Sequence, residues 1–222
     1  MRKILYVFVF SLLLLALSAT PAKAAFVTIT KDGKVTWNVL ASTNIEVKNT
    51  AVATDTSALS LRTESGKFYL NDIDVTSLEN QDLVDIEERP DAKKIMISVK
   101  ENSFTLNEGG VIAMTTYPIK IDARERKLSV KTDSGETFLM ILPKEAVEVA
   151  MRSRFISKNV ETISIADFKD EIVYKVDGEK VFDILGMISY SVPVTAYVSV
   201  VSGKIINVAG PEWFKVFGFL FA

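Results

Sequence analysis

The chain of 222 residues contains no cysteine and no histidine. Without cysteine there are no disulfides, so an exported protein of this sequence must be held together by its apolar core. The two absences also exclude a Ser/His/Asp triad, a cysteine nucleophile and a zinc site with histidine or cysteine ligands. Carboxylates, lysine, tyrosine, serine and threonine remain as reactive groups, and no cysteine can carry a lipid.

A strong net charge is absent as well. The full chain carries −2 at pH 7, and removal of the three cations Arg2, Lys3 and Lys23 takes this value from −2 to −5. A mildly acidic protein has no basic patch with which to displace counterions from nucleic acid. We therefore predict that nucleic acid is not a partner.

Residues 1–24 have the three parts of a secretory signal peptide. Arg2-Lys3 forms a basic start, and the apolar stretch Ile4–Ala19 is too short for a comfortable membrane span. Ala22-Lys23-Ala24 then fits the small-x-small pattern before a cleavage site. We predict that the segment is removed and that the mature protein is exported. The alternative is an uncleaved N-terminal anchor.

One stretch of the sequence occurs in two similar copies. LSLRTESGKFYL (Leu59–Leu70) and LSVKTDSGETFL (Leu128–Leu139) share six of twelve positions. In each copy an alternating strand leads into a polar turn, where Gly66 or Gly135 supplies the positive φ of a tight hairpin. We predict two β-hairpins with equivalent turns. An internal β repeat and two unrelated hairpins that use the same favourable turn both remain open as explanations.

The rest of residues 25–142 shows short candidate strands separated by turn residues. Phe26–Trp37 and Ser103–Met114 each contain two alternating stretches around an acid-Gly turn. Lys93–Val99 predicts one further strand, whereas Val75–Arg89 has a weak helical pattern. We interpret this region as a sandwich-like, antiparallel β region of immunoglobulin-like size.

The pattern changes at Pro143, where a helix is predicted to begin. Glu145 lies early and Arg152 lies late in this segment, an order that suits the helix dipole. The apolar face that should pack on a sheet consists of Ala146, Val149 and Ala150.

Candidate strands follow the helix and complete a module over residues 143–209. Turn signals occur at Asp177-Gly178 and at Ser202-Gly203. The predicted strands are 160–168, 171–185, 192–201 and 203–208. A helix packed on such an antiparallel sheet gives, with the preceding region, an α+β fold that is mostly β.

This C-terminal module resembles a PepSY-type domain. A P-x-E-A-x-x-x-A helix start begins at Pro143, Ile172–Val176 approximates an I-x-Y-x-V strand, and Ser202-Gly203-Lys204 enters a tGk hairpin. Two features depart from that family: Val200-Val201 replaces the acid that often precedes the turn, and ILGMISYSVP (184–193) is longer than usual. The resemblance implies an exported, non-catalytic module of a kind that is often attached to peptidases or sensors and modulates them.

Few residue pairs offer catalytic chemistry. A Ser–Lys dyad needs a desolvated lysine, but Ser65/Lys67 and Ser202/Lys204 fall in turns, where lysine keeps its proton. A carboxylate pair could hydrolyse glycosides, but such acids are typical of a solvated surface. The carboxylate pairs considered are Asp72/Asp74 and Glu87/Glu88. We predict no catalytic residue.

Cofactor and metal sites are equally poorly supported. Asn71–Asp82 is rich in oxygen ligands but lacks the spacing and the glycine of a calcium loop, so at most a weak site is expected. Gly109-Gly110 precedes a strand rather than a helix that could hold a phosphate. We predict no cofactor and no metal site.

Residues 210–222, GPEWFKVFGFLFA, form a hydrophobic tail. It is too short to span a bilayer. The tail can fill a groove on its own domain, or it can lie at a membrane interface or in a groove of a partner protein. Gly210-Pro211 at its start is typical of an appended segment and favours interaction with a membrane or a partner. The candidate interaction residues are Trp213, Phe214, Phe217, Phe219, Leu220 and Phe221.

These observations together predict an exported, non-enzymatic protein with a binding or envelope-structural role. It would be extracellular, at the cell surface or periplasmic. Its partner would be another exported protein, or the membrane surface contacted by the tail. One alternative is a carboxylate-type hydrolase, which would need two converging, poorly solvated carboxylates in a concave pocket. Another is a membrane-attached sensor or adaptor ectodomain, if the N-terminal segment is retained.

Overall fold

The computed structural model describes residues 25–37, 58–87, 94–184 and 188–211. In this part of the chain, alternating apolar residues form strands in most segments, and Pro143 begins an α-helix, α1, that ends at Arg152. The strands are β1 (Val27–Ile29), β2 (Val35–Trp37), β3 (Ala58–Glu64), β4 (Lys67–Leu70), β5 (Ile73–Asp74), β6 (Asp82–Ile86), β7 (Ile95–Lys100), β8 (Ser103–Glu108), β9 (Val111–Thr115), β10 (Ile119–Asp122), β11 (Lys127–Thr132), β12 (Gly135–Phe138), β13 (Lys158–Phe168), β14 (Glu171–Ile184), β15 (Ile188–Ser199) and β16 (Ile205–Ala209).

The strands form two sheets. The larger has ten strands in the order β16-β15-β14-β13-β9-β8-β7-β6-β1-β2, and the smaller has six in the order β12-β11-β10-β3-β4-β5. Neighbouring strands are antiparallel except for β1 with β6 and β9 with β13, which are parallel. The predicted α+β fold with mostly β structure is confirmed.

The two sheets pack face to face through apolar side chains. Leu59 and Leu61 of β3 and Phe68 of β4 are buried in one core with Phe104 of β8. The rings of Phe68 and Phe104 meet edge to face, with centroids 5.4 Å apart. This contact joins the six-stranded sheet to the middle of the ten-stranded sheet, as in a sandwich.

Helix α1 covers part of the ten-stranded sheet. It contacts β8, β9, β13, β14 and β15. Ala146 and Ala150 are buried, as predicted, and Glu148 and Arg152 are exposed. Val149 was predicted to be buried but is only partly so, because it lies at the margin of the packed face.

The two similar stretches are both hairpins, but their turns differ by one residue. In β3–β4 the turn residues are Ser65 and Gly66, with φ of 52° and 74°. In β11–β12, Thr132 pairs with Gly135, so Gly135 opens the strand instead of occupying the turn. The Thr132 hydroxyl bonds the Ser134 hydroxyl at 2.8 Å and holds this different turn. The predicted equivalence of the turns is therefore wrong, and the duplication stays a hypothesis.

The weak helical pattern of Val75–Arg89 does not produce an α-helix among the described residues. Thr76–Leu78 forms a short 3-10 turn, and Asp82–Ile86 forms β6. Strand β6 pairs with β1 on one side and β7 on the other, so Leu83 and Val84 are buried within a sheet. Pairing with distant strands outweighs the local pattern.

Asp177-Gly178 was predicted to be a turn but lies inside β14. Asp177 pairs with Thr195, and Gly178 pairs with Val194 of β15. The Thr195 hydroxyl donates to the Asp177 carboxylate at 2.6 Å, so this side chain bonds across strands instead of closing a turn. The turn predicted at Ser202-Gly203 is present, with Gly203 at φ 67°.

Strands from both sides of residue 143 share the ten-stranded sheet, because β13 pairs with β9. The boundary predicted between residues 142 and 143 stays a prediction. The predicted signal peptide, residues 1–24, and residues 212–222 of the predicted tail lie outside the described residues.

Gly33 in the β1–β2 turn should not tolerate alanine. Its φ is 77°, and an added Cβ would lie 2.9 Å from the Ala123 carbonyl oxygen. Gly110 also has a positive φ, 89°, but a Cβ there meets nothing within 4 Å. Both substitutions incur the cost of a left-handed conformation, about 1–2 kcal/mol. Gly33→Ala should lose more unfolding free energy than Gly110→Ala, because the backbone at Ala123 must also move. Equal losses of unfolding free energy in urea would contradict this contact.

Candidate functional site

Strands β14 and β15 continue beyond their neighbours in the described part of the ten-stranded sheet. Pairing of β13 with β14 ends at Glu179, and pairing of β16 with β15 ends at Thr195. Residues 180–184 and 188–192 remain paired with each other. We call these two segments the arm. A two-stranded ribbon has little stability of its own in water, so its side chains need further contacts.

One face of the arm is apolar. Phe182 and Tyr190 are cross-strand partners, as are Lys180 and Val192, so the four side chains lie on one face. Phe182 is 7% exposed and Val192 is 2% exposed, whereas Tyr190 is 56% exposed. The face thus combines a buried apolar base with an accessible aromatic ring.

A partly buried lysine lies against this apolar face. The Lys180 Nζ atom lies 5.3 Å from the centroid of the Phe182 ring and 5.7 Å from that of Phe155. Burial lowers the pKa of Lys180 from its ordinary value. Cation–π attraction to the two rings favours the position of the ammonium group.

The loop after α1 attaches the base of the arm to the rest of the protein. The Ser157 backbone N–H donates to the Glu179 carbonyl at 2.7 Å. The Ser157 hydroxyl accepts from the Val181 N–H at 3.2 Å. These bonds fix the arm where it leaves the sheet.

The opposite face of the same ribbon carries polar side chains beside Val181. The Ser191 hydroxyl donates to the Glu179 carboxylate at 2.7 Å. Lys175 pairs with Asp177 at 3.3 Å closer to the centre of the sheet. The arm is therefore amphipathic, and its apolar face is the side suited to an apolar partner.

A buried polar group fixes the start of α1. The Glu108 carboxylate accepts from the Lys144 backbone N–H at 2.9 Å, and the Tyr174 hydroxyl donates to the Ile141 carbonyl at 3.0 Å. Burial, together with the negative charges of Glu108 and Glu145, raises the pKa of Tyr174. Tyr174 thus stays protonated and acts as a hydrogen-bond donor that positions the helix.

Of the carboxylates considered for catalysis, Asp72 and Asp74 have separate partners at the surface, and Glu88 of the Glu87/Glu88 pair lies outside the described residues. Asp72 pairs with Arg62 at 3.3 Å. Asp74 accepts from the Thr76 N–H at 3.0 Å, and hydrogen bonds from Thr76 lower the pKa of Asp74. Lys67, considered as a base for Ser65, pairs with Asp74 at 3.4 Å. These contacts suit an exposed hairpin, and the prediction of no catalytic residue stays a prediction.

The described residues contain neither a metal-binding cluster of side chains nor a membrane-spanning helix. No three acidic side chains there come together in a group that could hold a metal ion. No helix in those ranges has both the length and the apolar character needed to cross a membrane. The predictions of no metal site and no cofactor remain predictions.

No protein-family profile and no curated protein matches the chain. A crystal structure of a "putative lipoprotein" from Clostridium difficile 630 is similar, with 16% sequence identity over 69% of this chain and 80% of that chain. The TM-score of 0.25 is too low to support an argument about fold or function. The profile comparison lends no support to the PepSY-type resemblance, which stays a prediction.

Sequence reasoning missed the arm. The predicted strand 171–185 nearly matches β14, but the predicted strand 192–201 begins four residues after the start of β15, so the first part of β15 was left out of the sheet. One sequence feature could have indicated the arm: residues 184–193 form a longer stretch than the PepSY pattern usually has, and the arm lies in that region. The predicted interaction residues Trp213, Phe214, Phe217, Phe219, Leu220 and Phe221 all lie outside the described residues.

Proposed function

We propose that this protein is an exported, non-enzymatic binding protein of the cell envelope, and that it contacts another exported protein through the arm. The observation that carries the proposal is the extension of β14 and β15 beyond both neighbouring strands, with Tyr190 exposed on the apolar face. An accessible aromatic ring beside a buried apolar base is the kind of anchor that protein interfaces use.

Two sequence features support this proposal. The signal-peptide pattern of residues 1–24 is typical of exported proteins and supports a location outside the cytoplasm. The PepSY-type resemblance of residues 143–209 suggests a module that modulates another exported protein. In that case the arm would be this chain's own addition to the module.

Capture from the cell envelope tests the arm directly. The mature protein, Tyr190→Asp and Phe138→Asp are each used to pull down envelope proteins, which are identified by mass spectrometry. Phe138 is the control, because it is 48% exposed on β12 of the other sheet. We expect a protein that is retained by the parent and by Phe138→Asp but lost by Tyr190→Asp. Equal capture by all three would refute a role for the arm.

The membrane surface is a second candidate partner. Lys180 lies against aromatic rings, and cationic and aromatic side chains are favoured at a lipid interface. Residues 212–222 add further aromatic side chains. We expect deletion of residues 212–222 to abolish flotation with phosphatidylglycerol–phosphatidylethanolamine vesicles while the melting temperature is kept. If the full-length protein does not float with the vesicles, and the truncated protein has a lower melting temperature, the segment belongs to the core instead.

Enzymatic activity is expected to be absent. Asp72 and Asp74 are exposed and pair with the oppositely charged Arg62 and Lys67. Peptide, ester and glycoside substrates should therefore remain unchanged when incubated with the mature protein. Turnover that disappears on replacing Asp72 or Asp74 with asparagine would instead support the carboxylate-type hydrolase.

A further inference from the structure

We propose that the face of the ten-stranded sheet turned away from α1 is a second binding site, and that its ligand is an uncharged glycan. The site is a line of side chains across four neighbouring strands: Asn207 of β16, Tyr197 of β15, Lys175 of β14 and Ser164 of β13. We call these four residues the row. They lie on the opposite face of the sheet from the apolar side of the arm, so this inference does not depend on the proposed function.

The six-stranded sheet and α1 both cover the other face of the ten-stranded sheet. On β8, Phe104 and Glu108 point to one face because side chains alternate along a strand. Phe104 meets the six-stranded sheet, and the Glu108 carboxylate accepts a hydrogen bond from the first turn of α1. On β14, the Tyr174 hydroxyl bonds the chain just before α1, so Tyr174 points to that face as well. Lys175 is the next residue and points the opposite way, so neither covering element lies over the row.

Strand pairing places the four side chains in line. Tyr197 pairs with Asn207 on one side and with Lys175 on the other, and Lys175 pairs with Ser164. Paired residues point to the same face, and all four are partly exposed. With strands about 4.8 Å apart, the row extends over roughly 14 Å. A ligand of several linked rings can contact the whole of it.

Tyr197 supplies a fixed aromatic ring in the row. Its ring stacks on that of Phe168, with centroids 4.3 Å apart and an angle of 30° between the planes. The Lys169 Nζ atom lies 5.2 Å from the centroid of the Phe168 ring. In the described contacts, the second face of the Tyr197 ring meets no other ring and no cation. The C–H groups of a sugar ring can pack on such a surface while the sugar hydroxyls bond to polar neighbours.

The polar groups of the row favour a ligand that is rich in hydroxyls and carries no charge. Among the described contacts, the Tyr197 hydroxyl, the Asn207 amide and the Ser164 hydroxyl bond to no protein group, and each of them can both donate and accept. The ammonium group of the row is already neutralised, because Lys175 pairs with Asp177 at 3.3 Å. An anionic polymer would compete with Asp177 for this lysine, whereas sugar hydroxyls can bond to the three neutral groups.

A protein partner suits the row less well than a glycan. The centre of a protein–protein interface contains several apolar anchors that become fully buried. The row has one aromatic ring among an amide, a hydroxyl and a paired ammonium group. Its chemistry therefore differs from that of the arm.

An NMR titration of the isotope-labelled mature protein locates the site. The probes are three uncharged tetrasaccharides: cellotetraose, maltotetraose and chitotetraose. We expect at least one of them to shift the amide signals of Ser164, Lys175, Tyr197 and Asn207, and to leave that of Tyr190 in place. If none of the three shifts these signals, or if the shifts are confined to other parts of the protein, the proposal is wrong.

Substitutions in the row test its contribution to affinity, measured by calorimetric titration with the tetrasaccharide that binds. Tyr197→Ala should weaken binding by about tenfold or more, because aromatic anchors carry much of a binding energy. Asn207→Ala leaves the stacked rings in place and should also weaken binding. Tyr69→Ala is the matched control, because Tyr69 is a partly exposed tyrosine on β4 of the other sheet. Parent-like affinity in both row variants would contradict the site.

Polygalacturonate, an anionic polysaccharide, separates the two classes of glycan. We expect it not to bind, because Lys175 is paired with Asp177. Tighter binding of polygalacturonate than of every neutral tetrasaccharide would identify an anionic ligand and overturn the proposal. The pull-down with Tyr190→Asp reports on the arm alone, so a negative result at one site leaves the other to be judged on its own measurement.

Discussion

Replacing Phe104 with alanine is expected to lower the free energy of unfolding by about 3–5 kcal/mol, the usual cost of removing a buried phenylalanine ring. Phe104 is fully buried in β8, and its ring meets that of Phe68 from the opposing sheet. The substitution therefore opens a cavity at the contact between the two sheets. Urea denaturation followed by circular dichroism measures the loss.

Phe138→Ala is the matched control for this prediction. Phe138 lies on β12, the edge strand of the six-stranded sheet, and is 48% exposed. The same change there should alter stability by no more than about 0.5 kcal/mol, as is typical of surface substitutions. If the two variants lose equal stability, Phe104 does not join the sheets as described.

Replacing Ala146 with aspartate should have a comparable effect at the helix. Ala146 is fully buried where α1 lies on the sheet, and the Glu108 carboxylate already lies beneath the same helix. A new carboxylate there has no cationic partner in the described contacts. Uncompensated buried charge costs about 3–5 kcal/mol when one partner of a buried pair is removed, and we expect a loss of that size.

Met151→Asp is the control for the helix, because Met151 is 45% exposed on α1. An aspartate near the end of a helix should cost about 0.3–1 kcal/mol through the helix dipole. Thermal and urea unfolding of both variants separates burial from the dipole effect. A nearly neutral Ala146→Asp variant would show that α1 does not pack on the sheet through this residue.

The features that were predictable from sequence depend on local chemistry. Pro143 at the helix start, Glu145 in the first turn and Arg152 in the last predicted α1 correctly. Ser65-Gly66 predicted a hairpin because its turn requires positive φ, which glycine adopts easily. In each case the residues that determine the structure are neighbours in the chain.

The errors arise where distant strands decide the structure. Asp177-Gly178 has good turn chemistry, yet pairing with Thr195 and Val194 keeps both residues extended. Asp82–Ile86 joins a sheet because strands β1 and β7 flank it. The arm could not be predicted for the same reason, since its existence depends on where the neighbouring strands stop.

The parallel contact between β9 and β13 has a consequence for how the protein opens. The described pairing there consists of Ala113 with Ile163 and Met114 with Ser164. Helix α1 contacts strands on both sides of this seam. In native-state hydrogen exchange, the amides at the seam should exchange by a sub-global opening that releases the helix, at lower free energy than global unfolding. The molecule would then open as two cooperative folding units, joined by α1 and by the hydrogen bonds of the Met140 and Ile141 N–H groups to the Val200 carbonyl.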